Sequence, residues 1–299
     1  MQQTLTVEAK HEGERLDKFL QQMVSSFSRT KLNSLIKDEK VLVNDTVKKP
    51  SYRLKDGDKV SIEAEENQKD ILKPFEFNVK IIYEDEDLLV IDKPGGLTVH
   101  PPQHSVDDTL VNALIYMKKE LSGINAYRPG VVHRLDKETS GVMVFAKNDA
   151  SHLKLVEQFA KREIKKEYLA IVWGIISKDH LVADLPISRD TKNRLKMRVS
   201  FIRAKNAFTE GDVKERLSDS TLLSLKPRTG RMHQIRVHLK FLGFPIVGDK
   251  KYGIKDDYNE LFLHAHKLGL YQPKSGKFME FISPMPIRFE KFIKEHKQL

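Results

Sequence analysis

Apolar residues recur at helical spacing near the start of the chain, at Leu16, Phe19, Leu20, Met23 and Val24. A second helix is expected after Ser28, a good capping residue, with Leu32, Leu35 and Ile36 facing inward. Short strands should follow at Val41 to Val43 and Lys59 to Ile62. Between them lie the chain-reversing residues Pro50-Ser51 and Asp56-Gly57-Asp58. The segment from Glu63 to Pro74 is polar and charged, with only Ile71 and Leu72 apolar in its later part, so it reads as a linker.

The pattern then changes. Strands are expected at Val79 to Tyr83 and Leu88 to Ile91, on either side of the acidic turn Glu84-Asp85-Glu86-Asp87. A helix through Leu110, Ala113, Leu114 and Met117 should be capped near Asp107 or Asp108, and another carries Leu153, Val156, Phe159 and Ala160. Further strands are expected at Val142 to Ala146, Lys166 to Val172, Leu181 to Ala183, Leu222 to Leu225 and Leu263 to Leu268. Helices and strands do not alternate regularly, which favours an α+β domain with a mixed, mainly antiparallel sheet and flanking helices. The expected boundaries are a small α/β unit over 1–65, a linker over 66–76 and the larger domain over 77–299.

Charge narrows the choice of partner. Lys and Arg number 52 against 42 Asp and Glu, a net +10 that suits a polyanion. The chain has no cysteine, which excludes disulfides, a thiolate nucleophile and cysteine-ligated zinc or iron–sulfur centres. His264-Ala265-His266 and the pair His233 and His238 lack the carboxylates or further histidines that would complete a metal site, so no metal is expected. Neither glycine-rich nucleotide fingerprint is present, so no cofactor is expected. No apolar run approaches the roughly 20 residues of a spanning helix and no signal peptide is visible, which points to a cytosolic protein. No interface signal stands out, so a monomer with no obligate protein partner is expected.

The candidate chemistry centres on the run from Val131 to Ala146, where His133-Arg134-Leu135-Asp136-Lys137 precedes a strand. A lone Arg-x-Asp is ordinarily a solvated ion pair. An Asp held at a loop mouth near Arg134 and Lys137 would stay ionised, as a nucleophile or base requires. Tyr168 shares a strand face with Lys166, so a ring able to stack on a base lies beside a cation able to hold phosphate. In the stretch from Pro227 to Leu239, a strand end, a turn and a helix start bring His233 and Arg236 one turn apart, while Ile235 and Leu239 form an apolar stripe. Lys192 to Arg198 adds a cationic segment. Arg29 and Lys31 fall in the first turn of the second helix, where cations are disfavoured unless an anion is bound.

These segments together resemble one family. Lys93-Pro94-Gly95-Gly96-Leu97, the Asp136 loop preceded by Tyr127-Arg128-Pro129-Gly130, Lys166-x-Tyr168 and Thr229-Gly230-Arg231-x-His233-Gln234-Ile235-Arg236 match, in order, the RluA-type pseudouridine synthases (RluC/RluD-like) of large-subunit ribosomal RNA. Ser28-Arg29, Leu35-Ile36, Val41-Leu42-Val43-Asn44, Pro50-Ser51 and Gly57-Asp58 resemble an S-four-type (S4) RNA-binding domain. Glu39 and Asp45 replace two glycines of that pattern; a left-handed Glu39 costs roughly 1–2 kcal/mol.

The resemblance implies a cofactor-free isomerisation of uridine in RNA. Asp136 would be catalytic, Tyr168 would stack on the base, Arg236 would pair with Asp136, and Arg134 would help displace the target nucleotide. His133, Arg231, His233, Lys166, Arg29 and Lys31 would contact RNA. A non-catalytic RNA-binding or ribosome-assembly factor would share the charge and the N-terminal unit, but phosphate binding alone gives no reason for Asp136 among cations. A hydrolase would need a second acid beside Asp136, and Glu138 is the one close in sequence.

Overall fold

A computed structural model describes residues 2–24, 29–63, 72–101 and 108–297. They form two compact units, Met1–Lys73 with Gly123–Pro129, and Pro74–Ser122 with Gly130–Leu299. Ser28, Asp107, most of the expected linker and the side chains of Arg29 and Lys31 lie outside the described residues.

In the first unit, β1 (Gln2–Thr6), α1 (Leu16–Met23), α2 (Arg29–Lys37), β2 (Val41–Val43), β3 (Thr46–Val47) and β4 (Lys59–Glu63) follow in order. The strands form one sheet in the order β1-β4-β2-β3. Leu16, Phe19, Leu20, Leu32, Leu35 and Ile36 meet Val41, Val43, Val60 and Ile62 in a closed apolar core, as the helical spacing requires. Glu39 is left-handed at φ 58°, and Asn44 and Asp45, at φ 49° and 59°, make the two-residue turn between β2 and β3. Strand β1 has too few apolar residues to show a period, and backbone pairing with β4 alone defines it.

The second unit holds β5 (Lys80–Glu84), β6 (Leu88–Lys93), α3 (Leu110–Tyr116), β7 (Ser140–Ala146), α4 (Asp149–Lys161), β8 (Lys165–Trp173), β9 (His180–Asp184), β10 (Ile187–Arg189), β11 (Met197–Val199), β12 (Phe208–Arg216), β13 (Ser220–Pro227), α5 (Gln234–Phe241), β14 (Leu263–Tyr271), β15 (Phe278–Ile282) and α6 (Ile287–Glu295). Nine strands form one sheet, in the order β5-β6-β7-β14-β8-β13-β12-β9 with β15 on β14. The pairing of β7 with β14 is parallel, and the other named pairings of this sheet are antiparallel, so the α+β expectation holds.

Strands β7 and β14 touch only at Ser140 and Gly141 against His264 and Ala265, then diverge. Gly141 permits the contact. At φ 119°, a Cβ there would sit 2.1 Å from the Ala265 carbonyl oxygen. The divergence opens a wedge in the sheet, and the candidate catalytic loop enters it.

One expectation needs correction. Helix α3 is capped by Thr109 rather than Asp107 or Asp108; the Thr109 hydroxyl bonds the Asn112 side chain, and Asp108 is exposed. Helix α4 forms as expected. It buries Ser151, His152, Leu155 and Gln158 and leaves Leu153 63% and Val156 44% exposed. Gln158 decides this orientation, because its side chain bonds both backbone groups of Tyr271.

Candidate active site

The wedge is lined from the β7 side by the segment preceding that strand. Ala146 N–H donates to the Gly130 carbonyl at 2.9 Å, and Val144 N–H donates to His133 Nε2 at 3.1 Å. This segment thus covers the edge of β7 that β14 has left. The His133 ring stacks on Phe159 at 4.8 Å, and burial pushes its pKa down to about 3, so it is a neutral acceptor that anchors the loop.

The other side of the loop rests on Lys93, which is fully buried. Its Nζ donates to the carbonyls of Pro94 at 2.8 Å, Leu97 at 2.8 Å and Lys137 at 3.0 Å. Burial pushes the amine down to about 7, while Asp136 and Glu138 act in the opposite direction. Three carbonyl acceptors match the three donors of an ammonium, so the Lys93-Pro94-Gly95-Gly96-Leu97 loop and the Asp136 loop are tied at one cation.

Helix α5 supplies the counter-charge. Its start is held by Gln234, whose Oε1 accepts from the Thr229 hydroxyl and the Arg231 N–H, and whose Nε2 donates to Phe208 O and Thr209 Oγ1. His233 caps the helix in a left-handed conformation at φ 55°. Arg236, one turn on, is only 2% exposed. Its Nε and Nη2 grip Asp249 at 2.8 and 2.7 Å, and its Nη1 reaches Asp136 Oδ2 at 3.3 Å and Glu138 Oε2 at 3.1 Å. Burial opposes the guanidinium charge, but the Asp249 hydrogen bonds and the three carboxylates outweigh it and raise its pKa further.

Asp136, Arg134, Lys166, Tyr168, Arg231, His233 and Arg236 all line one cavity of about 930 Å³. Burial, reinforced by the Asp136 charge, pushes the Tyr168 hydroxyl up, and burial pushes the Lys166 amine down. Arg231 donates from Nε to the Asn206 carbonyl at 3.2 Å. Arg134 is exposed at the cavity. The expectation that Arg134 and Lys137 hold Asp136 ionised is therefore corrected. Among the described residues the ion pair of Asp136 goes to Arg236, with His233 Nε2 4.0 Å from its other carboxylate oxygen, while Lys137 turns its carbonyl inward and its side chain to solvent.

The sequence reading missed Asp249 and Tyr252. Asp249 follows Gly248 and accepts the N–H groups of Lys251 and Tyr252, both at 2.9 Å, a signature that reads as a turn. Burial opposes its charge, yet Arg236 and these N–H groups hold its carboxyl below the usual range. Glu138 is also ionised beyond the ordinary, since Arg236, Lys251 and a backbone hydrogen bond outweigh its burial. It is thus poorly suited to the proton-donor role a hydrolase would require.

A mixed sheet opened by a wedge, with an aspartate and a buried arginine at the foot of a basic cavity, describes an enzyme acting on a polyanion. The RNA pseudouridylate synthase profile matches residues 87–241, and the S4 domain profile matches residues 14–60. The chain is 42% identical over 285 residues to an uncharacterized RNA pseudouridine synthase of Bacillus subtilis (strain 168), spanning 94% of each. It is 37% identical over 302 residues to ribosomal large subunit pseudouridine synthase D of Escherichia coli (strain K12), spanning 96% of this chain and 91% of the relative. Among solved structures, human RNA Pseudouridylate Synthase Domain Containing 1 matches with a TM-score of 0.59 and 29% identity, over 69% of this chain and 83% of its own.

The chain therefore belongs to the RNA pseudouridine synthase family and carries an N-terminal S4 domain. It is an enzyme that isomerises uridine to pseudouridine in RNA, which answers the alternative of a binding factor without activity.

Proposed function

We propose that the substrate is large-subunit ribosomal RNA, modified in the cytoplasm, and that Asp136 is the catalytic residue. The relative named for the large ribosomal subunit supports the substrate, and no helix among the described residues is long and apolar enough to cross a membrane. Residues 1–65 act as the RNA-binding domain, 66–76 as linker and 77–299 as the catalytic domain.

The reaction breaks the bond between ribose and uracil N1, turns the detached base and rejoins it through C5. C5 gives up its proton to solvent and N1 gains one, so the composition of the RNA is unchanged. A positioned carboxylate, an aromatic clamp and a cavity that restricts water therefore suffice without a cofactor. The observation that carries the assignment is the 3.3 Å contact of Asp136 with Arg236 in the cavity that Tyr168 also lines. Arg236 orients the carboxylate, and Tyr168 stacks on the target base. Arg134 enters the gap left by the displaced nucleotide, whose unstacking costs a few kcal/mol that other RNA contacts offset. Lys166, Arg231, His233 and the His133 loop face the nucleotide, and Arg29 and Lys31 take phosphate at the S4 helix.

RNA labelled with tritium at uracil C5 should release it with this enzyme, and Asp136→Asn should abolish release while retaining RNA binding. A folded Asp136→Asn enzyme that isomerises at the wild-type rate refutes the assignment. Mapping pseudouridines in large-subunit RNA from cells lacking the protein tests the substrate.

A further inference from the structure

The Tyr252 hydroxyl lies between the β10–β11 hairpin and the helix that carries Arg236, and the reaction outlined above makes no use of it. Its oxygen accepts the backbone N–H of Met197 at 2.7 Å and lies 2.7 Å from Nδ1 of His233. A phenol has a single proton to give. Among the described residues Nδ1 is the one acceptor within hydrogen-bond reach of the hydroxyl, so with Met197 donating into the oxygen that proton goes to Nδ1. A neutral imidazole that accepts at Nδ1 carries its own proton at Nε2. Nε2 is the ring atom nearest the carboxylate, 4.0 Å from Asp136 Oδ1, while Arg236 donates to the other oxygen, Oδ2.

We propose that Tyr252 is a positioning residue for the isomerisation: its hydroxyl, anchored by the Met197 N–H, sets His233 in the Nε2–H tautomer and aims that N–H at Asp136 Oδ1. Both oxygens of the carboxylate then face donors one helical turn apart, which fixes the carboxylate's rotation as well as its position. The 4.0 Å separation closes when substrate fills the cavity, as hydrogen bonds in unliganded catalytic sites commonly do. The rings of His233 and Tyr252 pack edge to face at 5.4 Å, and the Arg236 guanidinium lies 5.3 Å from the Tyr252 ring, so the phenol has little freedom to turn away. Burial pushes the Tyr252 hydroxyl up to about 12 and lowers the pKa of His233, which keeps both groups neutral at neutral pH.

The proposal rests on Asp136 being the catalytic carboxylate, and its first test needs no turnover. Nitrogen-15 NMR of the full chain labelled at histidine should show His233, identified by its loss in His233→Asn, as the Nε2–H tautomer, and Tyr252→Phe should abolish that preference. A wild-type His233 found as the Nδ1–H tautomer or as imidazolium at neutral pH overturns the proposal.

The second test is single-turnover isomerisation. Tyr252→Phe should slow it about tenfold, the effect of one positioning hydrogen bond, with RNA affinity unchanged. Asn tolerates the left-handed backbone at position 233, so His233→Asn is the partner variant. The double variant should be no slower than His233→Asn alone. A wild-type rate in Tyr252→Phe, or the same fold loss on the His233→Asn background, overturns the proposal. Should either variant fail to fold, the wild-type tautomer decides. Failure of the Asp136 assignment is seen separately, as retained activity in Asp136→Asn.

Discussion

Arg236 and Asp249 are joined by two parallel hydrogen bonds, Nε to Oδ2 at 2.8 Å and Nη2 to Oδ1 at 2.7 Å, with both side chains sealed from solvent. The fork fixes the plane of the guanidinium and leaves Nη1 aimed at Asp136 and Glu138. Asp249→Ala removes the bidentate partner of a buried cation and should lower unfolding free energy by about 3–5 kcal/mol. Isomerisation should fall with it, because Nη1 loses its aim. Urea denaturation and single-turnover rates check both, and a variant as stable and active as wild type would show that Asp249 does not hold Arg236.

Tyr168 should act through its ring. Tyr168→Phe keeps the stacking surface, whereas Tyr168→Ala should lose about 1–3 kcal/mol of base interaction. Binding and turnover of an RNA oligonucleotide containing the target uridine measure this, and equal activity of the Ala variant and wild type would remove Tyr168 from the site.

Helix α4 offers a test of orientation. Leu153 is exposed, so Leu153→Ser should change stability by no more than about 0.5 kcal/mol. Leu155 is fully buried, and Leu155→Ala should cost about 2–5 kcal/mol. The reverse ranking in denaturation would mean that the other face of the helix is packed.

Stability should decline in mild acid in part through His264, which is 2% exposed between the Ser140 hydroxyl and the Ser283 carbonyl. Burial pushes its pKa from an ordinary 6.5 down to about 4. Between those values the unfolded chain holds a proton that the folded chain does not. The contribution is therefore complete above the unfolded value and is lost as pH falls toward the folded one. His264→Gln should flatten this part of the stability profile, and an unchanged slope in urea titrations across the range would exclude His264 as its source.

Much of the site was legible because its motifs are local. Lys93-Pro94-Gly95-Gly96, the Asp136 loop and the turn from Thr229 to Arg236 each carry their own backbone chemistry, visible in the Lys93 carbonyl cage and the Gln234 clasp. Asp249 and Tyr252 were illegible for the opposite reason. Their local role is a turn, and their role at the site exists only through Arg236 and His233 on another element. The inward face of α4 was not legible because it carries Ser151, His152 and Gln158 beside Leu155, and the Gln158 bonds to Tyr271 exist only in the fold.

The sequence by itself determined the strongly patterned segments, such as α1, α2, β6, β7, β8 and β14, the basic character that suits RNA, and the family, since these depend on neighbours a few positions apart and on summed charge. Tertiary structure supplied the geometry behind the pairing of Asp136 with Arg236 that the resemblance implied, and the Asp249 fork that aims it. Arg134 and Lys137, adjacent to Asp136 in the loop, are exposed, whereas the fold brings a guanidinium to it from a helix 100 residues further along the chain. Contact at that separation arises from how helix α5 and the Asp136 loop are brought together in the fold, which no local period encodes.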